Sequence, residues 1–278
     1  MDGDWTEAEV GDFLRSRRAR IRPEEVGLPA HGRRRVPGLR REEVAQLAGV
    51  SVDYYIRLEQ GRGTSVSDAV LDAVARVLRL DETEHTYLRT VARPGRRRAG
   101  TAGPSRVRPG IQALLDGMER SPAFVLDQRM DVLAWNALGD AVNGFSRMAP
   151  AGRNMPRHLF LDPGARELYP EWAAVAAQAV AHLRLSAGRY ADDARLCALV
   201  GELSLKSDDF RRLWADHEVR ECAYGVKRIQ HPVAGLLTLP YETLTVPSQP
   251  DQTLVVYTPE PSSETAERLA LLGSWATL

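Results

Sequence analysis

The sequence predicts two domains of different fold class: an all-α unit of five helices, followed by an α+β domain with an antiparallel sheet. The 278 residues are enough for about two domains. A stretch rich in Pro, Gly and Arg at residues 93–104 has no apolar periodicity and indicates a linker. Helical spacing dominates before it, and alternating β-branched runs occur only after it. We therefore place the domains at 1–93 and 110–278, with 94–109 between them.

The first domain is predicted to begin with three helices. The first spans about residues 6–21. The second and third, at 41–48 and 51–60, are each followed by a glycine, Gly49 and Gly61. Glycine is common just past a helix C-terminus because it adopts positive φ without strain. The two glycines therefore set the lengths of both helices.

Two further helices complete this domain. The fourth opens with Ser-Val-Ser-Asp at 65–68, which is typical of a capping box, and the fifth opens at Asp81 with Glu84 three residues later. The fourth helix carries its apolar residues on one face, namely Val70, Leu71, Val74, Val77 and Leu78. The five helices are expected to form one compact unit.

The second domain mixes strands and helices. Short extended runs at 123–127 and 132–135 flank a polar turn and predict a β-hairpin, and 136–145 is predicted to be helical. The order of elements predicts an antiparallel sheet whose one face is covered by inserted helices. The remaining predicted elements are helices near Pro170, Leu196 and Ser207, strands at 222–230, 236–246 and 253–257, and a closing helix at about 263–275.

The charges are distributed unevenly, although 37 basic and 37 acidic residues cancel overall. Residues 1–12 hold five acids and no base, 13–110 hold 21 bases against 11 acids, and 111–278 hold 16 against 21. The basic excess lies in the first domain, which favours a nucleic-acid partner there.

The composition is that of a soluble globular protein, with 44% hydrophobic and 27% charged residues. No run of about 18 apolar residues occurs, and the acidic N-terminus lacks the features of a signal peptide, so we expect a cytoplasmic protein without a membrane partner. Two cysteines, Cys197 and Cys222, are too few for a disulfide framework. We interpret them as buried apolar residues, with a redox switch as the alternative.

Residues 41–61 have the pattern of two short helices that cross near a right angle. Ala45 is small enough for the helix contact, and Gly49 tolerates positive φ in the turn. Ser51 is placed to cap the second helix. On a helical wheel Tyr54, Tyr55 and Leu58 face inward. The outward side carries Val52, Asp53, Ile56, Arg57 and Gln60.

This segment resembles the phage-repressor-like (XRE-type) helix-turn-helix in its spacing and in the closing Leu-Glu-Gln-Gly at 58–61. A generic helical hairpin is the alternative. The resemblance implies that the second helix enters the major groove of duplex DNA. Val52 would then suit a thymine methyl and Arg57 a guanine. Asp53 would either accept from cytosine or complement the helix dipole.

Arginines before the helix-turn-helix are candidates for phosphate or minor-groove contact. In this domain type Arg18 and Glu59 fall where an internal ion pair is common, so we assign both to structure. The full set of predicted DNA-binding residues is Arg33, Arg34, Arg35, Arg40, Arg41, Ser51, Val52, Asp53, Arg57, Gln60 and Arg62.

Longer stretches resemble the MmyB-like transcription regulators of actinobacteria. They are residues 32–45 (Gly-Arg-Arg-Arg-Val-Pro-Gly-Leu-Arg-Arg-Glu-Glu-Val-Ala), 51–55, 57–62, 133–136, 159–163, 172, 183–184, 214–217 and 231–235. The resemblance implies that the second domain is a PAS-like sensor, in some members a binder of a fatty acid or similar lipophilic molecule. It also implies that this sensor is coupled to the N-terminal DNA-binding domain.

Aromatic residues of the second domain would line such a pocket or simply pack in the core. Asn136 lies among them and either contacts the ligand or caps its helix. An acidic effector would need a cation, for which Arg157 and Arg184 are candidates, with solvent-exposed side chains as the alternative. The predicted ligand-binding residues are Phe124, Trp135, Asn136, Phe160, Tyr169, Trp172, Arg157 and Arg184.

No catalytic or metal motif appears in the sequence. The histidines at 158, 182, 217 and 231 lack metal-ligand spacing, and nucleophile elbows and phosphate-binding loops are absent. Together with the two resemblances, this absence leads us to predict a homodimeric DNA-binding regulator without a cofactor. The bound effector, a fatty acid or similar lipophilic molecule, is what the MmyB-like resemblance implies. The alternatives are a second domain that only dimerises, or a fused enzyme that modifies small molecules.

Overall fold

In the computed structural model the chain forms two compact units. Unit 1 consists of Met1–Gly100, Arg184–Asp193 and Ala215–Arg220; unit 2 consists of Thr101–Leu183, Ala194–Trp214 and Glu221–Leu278. The structure describes residues 3–29, 38–62, 66–92, 106–247 and 249–276.

The N-terminal part of unit 1 contains the five expected helices. They are α1 (Gly3–Arg20), α2 (Arg41–Ala48), α3 (Val52–Glu59), α4 (Asp68–Val77) and α5 (Glu82–Val91), and a 3₁₀ turn at Pro23–Val26 follows α1.

Side-chain caps fix the starts of α3, α4 and α5. The capping box of α5 is confirmed, because Asp81 accepts from the Glu84 amide at 2.8 Å and Glu84 accepts from the Asp81 amide at 3.1 Å. The prediction of a capping box at residues 65–68 is wrong, because α4 begins at Asp68. The cap of α4 is Ser67, whose hydroxyl accepts from the Val70 amide at 3.3 Å, and Ser65 lies outside the described residues.

The core of unit 1 joins the helices to the two later segments. Phe13, Tyr55 and Leu71 are fully buried in it, and Leu185 and Val219 belong to the same apolar cluster. Helices α1 and α3 approach so closely at Gly11 that a Cβ there would lie 2.3 Å from the Glu59 carbonyl oxygen. Only glycine fits at that position.

Unit 2 is built on a five-stranded antiparallel sheet. Its strands are β1 (Ala123–Asp127), β2 (Val132–Trp135), β3 (Tyr224–His231), β4 (Gly235–Val246) and β5 (Gln249–Tyr257), in the spatial order β2-β1-β5-β4-β3. The remaining helices of the described chain are α6 (Pro109–Asp116), α7 (Ala137–Asn143), α8 (Met155–Leu161), α9 (Ala165–Leu168), α10 (Trp172–Arg189), α11 (Ala194–Lys206), α12 (Asp208–Ala215) and α13 (Glu264–Ala276). The part of α10 from Arg184 onward belongs to unit 1.

Helices pack on both faces of this sheet. On the inner face, sheet residues such as Phe124 and Leu239 share one apolar core with residues of α7, α10 and α13. On the outer face, Leu115 of α6 packs on Val125 and Leu254. The prediction of helices on one face only is therefore wrong, because α6 was not recognised in the sequence. The short helices α8 and α9 were not predicted either.

No helix in the described ranges combines the length and the apolar character that crossing a bilayer requires.

The interpretation of both cysteines as buried residues is wrong. Cys197 is exposed on α11, whereas Cys222 is half-buried with its thiol 3.7 Å from the Gln178 carbonyl oxygen.

Candidate functional site

Helices α2 and α3 form the expected helix-turn-helix. Gly49 follows α2 with a φ of 70°, and the Val50 amide donates to the Ala45 carbonyl at 3.0 Å. Ala45 is fully buried at the contact. The Ser51 hydroxyl caps α3 by accepting from the Tyr54 amide at 3.2 Å. The local signals in the sequence therefore account for this turn.

Helix α3 has one buried and one exposed side. Tyr55 and Leu58 are buried in the core of unit 1. The opposite side, which we call the reading face, is exposed and consists of Ser51, Val52, Asp53, Arg57 and Gln60. Arg62, just beyond the helix, is exposed as well. Asp53 lies in the first turn of α3, where it complements the positive end of the helix dipole.

The predicted phosphate-contacting arginines differ in their surroundings. Arg40 is exposed, and its backbone amide donates to Glu43 at 2.7 Å at the start of α2. Arg41 is half-buried, and its Nε donates to Glu59 at 2.8 Å. Arg33, Arg34 and Arg35 lie outside the described residues. All five remain predicted DNA contacts.

A buried ion pair supports the reading face from behind. Arg18 donates to both carboxylate oxygens of Glu59, at 2.9 and 3.0 Å, and to the Leu39 carbonyl at 2.6 Å. The predicted internal pair is thus confirmed. Burial favours protonation of Glu59, yet the guanidinium groups of Arg18 and Arg41 hold the pKa of its carboxyl below the usual range. This network ties α3 to α1 and to the chain before α2.

In unit 2 the predicted aromatic residues share the core on the inner face of the sheet. Phe124 is buried, with its ring centroid 5.2 Å from Phe145 and 5.9 Å from Tyr257. Trp135 is half-buried and lies 5.5 Å from Phe145. A neighbouring group consists of Phe160 with Trp172 at 5.8 Å and Phe210 at 5.2 Å. Tyr169 is also buried there.

Asn136 is the N-cap of α7. Its side-chain oxygen accepts from the amides of Gly139 at 2.7 Å and Ala123 at 3.0 Å. Its amide nitrogen donates to the carbonyls of Met118 and Ser121, both at 2.8 Å. These bonds use both donors and both acceptor positions of the side chain, so the capping interpretation is confirmed. A ligand contact by Asn136 remains a prediction that would require one of these bonds to be exchanged.

The two predicted ligand cations are already paired with carboxylates. The Nε of Arg157 donates to Glu202 at 2.9 Å, and the two side chains are 32% and 27% exposed. Arg184 belongs to unit 1, is fully buried and pairs with Glu9, which also accepts from the Tyr87 hydroxyl at 2.5 Å. The interpretation of Arg184 as a solvent-exposed side chain is therefore wrong.

A group of polar side chains lies on the inner side of the sheet, and of its members only Tyr169 was predicted from the sequence. We call Lys227, Tyr169, Tyr241 and Tyr257 the tyrosine–lysine cluster. Tyr241 lies directly opposite Tyr257 in the β4–β5 pairing, and Lys227 Nζ is 5.5 Å from the Tyr241 ring centroid. The signal that could have revealed it is the lysine content, because the chain contains only Lys206 and Lys227.

Within the described ranges, no three His, Cys, Asp or Glu side chains are grouped so that they could hold a metal ion.

Two protein-family models match the chain. A helix-turn-helix domain matches residues 9–88, and the MmyB-like transcription regulator ligand binding domain matches residues 107–272. No curated protein matches it.

Proposed function

Because the chain belongs to the MmyB-like transcription regulators, we propose that it binds operator DNA and that unit 2 senses a lipophilic, fatty-acid-like molecule. The exposed reading face of α3 carries this proposal. Its residues project from a helix that a buried ion pair holds in place, as base recognition requires. We propose a regulator without catalytic activity of its own, acting in the cytoplasm where its DNA target lies.

The proposed DNA complex follows from the size of the reading face. One recognition helix reads only a few base pairs, so we propose a homodimer that binds two half-sites about one helical turn apart. Arg57 would donate to guanine O6 and N7, and Val52 would contact a thymine methyl. The basic residues before α2 would neutralise phosphates and make binding depend on salt.

We expect Arg57→Ala to weaken operator binding by about 1–3 kcal/mol, because it removes a base-edge contact. Affinity for a random duplex should change little. Arg76→Ala is the matched control, since Arg76 is an exposed arginine on α4 outside the reading face. Fluorescence anisotropy on an operator selected from random duplexes would measure both. Equal losses on operator and random DNA would contradict the role of Arg57.

The aromatic core of unit 2 supports the proposed effector. It combines Phe124, Trp135, Phe160, Tyr169 and Trp172 in one apolar layer between sheet and helices. An acyl chain would gain about 0.8 kcal/mol per buried CH₂ in such surroundings. Longer chains should therefore stabilise the protein until the space is full.

The proposed function is tested with delipidated full-length protein and saturated fatty acids of increasing length. We expect the melting temperature to rise with chain length up to a limit, and operator affinity to change on binding. Ala176→Leu should reduce the thermal shift because Ala176 is fully buried in this core, whereas Ala137→Leu should not because Ala137 is exposed. An unchanged melting temperature with every acid would refute the effector class.

A further inference from the structure

We infer that Lys227 and the Tyr257 hydroxyl form a head-group subsite that takes the carboxylate of an acidic, otherwise apolar effector. The inference rests on the proposed sensing function and deepens it. Lys227 lies on β3, and Tyr257 lies on β5 directly opposite Tyr241. Both therefore belong to the sheet that forms one wall of the aromatic core.

Tyr257 supplies a donor without a partner. Its side chain is fully buried, and among the described residues its hydroxyl has no hydrogen-bond partner. Burial raises the pKa of this phenol, and the neighbouring Tyr169 and Tyr241 act in the same direction, so the hydroxyl keeps its proton. A buried donor without an acceptor is unfavourable. A ligand oxygen at this position would remove that cost.

Lys227 supplies the positive charge. Its neighbour two residues along β3, Ile229, is fully buried in the core, so Lys227 faces the same side of the sheet. Its ammonium lies 5.5 Å from the centroid of the Tyr241 ring, and within the described part of the chain no carboxylate is paired with it. Burial lowers the pKa of Lys227, which an anionic ligand would reverse.

The choice of lysine at this position supports a specific role. Of the 37 basic residues, 35 are arginine, and the other lysine, Lys206, pairs with Glu202 on the surface. A lysine ammonium is a compact point charge that accommodates one anionic group without the fixed fork of a guanidinium. Since Arg157 and Arg184 are held by Glu202 and Glu9, Lys227 is the better candidate for the cation.

The test compares dodecanoic acid with dodecan-1-ol, which has the same chain length and no charge. Calorimetry on delipidated full-length protein should show the acid binding about 10- to 100-fold more tightly than the alcohol, because it makes charge-assisted hydrogen bonds. Lys227→Met should abolish this preference, and Lys206→Met should preserve it. Tyr257→Phe should reduce the preference without lowering the melting temperature of the empty protein, because it removes an unpartnered hydroxyl.

A second readout uses the two lysines directly. In protein labelled with ¹⁵N-lysine, the acid should raise the pKa of Lys227 and leave the Lys206 signal unchanged, and the alcohol should move neither. If the acid binds but both variants keep its preference over the alcohol, the head-group subsite is refuted and the proposed function stands. If neither compound binds the unmodified protein, the proposed effector class fails, and this subsite with it.

Discussion

Glu59→Ala is expected to lower the free energy of unfolding by about 3–5 kcal/mol, because it leaves the buried Arg18 guanidinium without its counter-charge. The loss of stability should be largest in α1 and α3, which the Arg18–Glu59 pair joins, so their amides should exchange faster. Urea denaturation, combined with hydrogen exchange of the amides in these two helices, would measure it. Glu42→Ala is the control, since Glu42 is exposed in the first turn of α2.

The same pair predicts a pH dependence with a defined sign. The pKa of Glu59 is lower in the folded protein than in the unfolded chain, so its contribution is complete above the unfolded value. This stabilising contribution is lost as the pH falls through the lower pKa that Glu59 has in the folded protein. The stability difference between the unmodified protein and Glu59→Ala should therefore shrink in strong acid. A difference that stays constant down to acidic pH would contradict the ion-pair explanation.

Arg184→Met is the second large effect that we expect, again about 3–5 kcal/mol of unfolding free energy. Arg184 is fully buried in unit 1 and pairs with Glu9, which also accepts from Tyr87. Without Arg184 the buried Glu9 carboxylate loses its positive partner and keeps the hydrogen bond from the Tyr87 hydroxyl. Arg189→Met, an exposed position on the same helix, should change stability by less than about 0.5 kcal/mol.

A double variant separates charge from packing at this site. Glu9→Gln combined with Arg184→Met removes both charges, so it should recover a large part of the stability that Arg184→Met loses. Denaturation of the four proteins in one double-mutant cycle would give the coupling energy. Additive losses from the two substitutions would show that Arg184 acts through its packing rather than through its charge.

Local signals were sufficient for the helix-turn-helix and for several helix starts. Gly49 and the capping box at Asp81 act through neighbours within a few residues, so the sequence alone reveals them. The strands were predicted to within a few residues at most ends, because β-branched residues and turns mark them. Short helices such as α8 carry too few residues for a periodic signal.

Contacts between distant residues were not predictable in the same way. Arg184 and Glu9 are 175 residues apart, and nothing near either one indicates the other. Lys227 was not predicted, because an alternating strand pattern indicates on which face of the sheet a side chain lies. The pattern does not indicate which side chains of other elements surround it there. The polar character of the candidate effector site therefore came from the structure, whereas its aromatic residues could be named from the sequence.

The make-up of unit 1 also bears on how this architecture can evolve. Its core includes Leu185 and Val219, which are encoded far downstream of the helix-turn-helix. A recombination event at the linker would transfer the five helices without these residues and without the partner of Glu9. The five N-terminal helices are therefore not a self-sufficient module that could be joined to another effector domain without these residues. Positions 9 and 184 should instead be inherited together, with acid and base changing in concert among related chains.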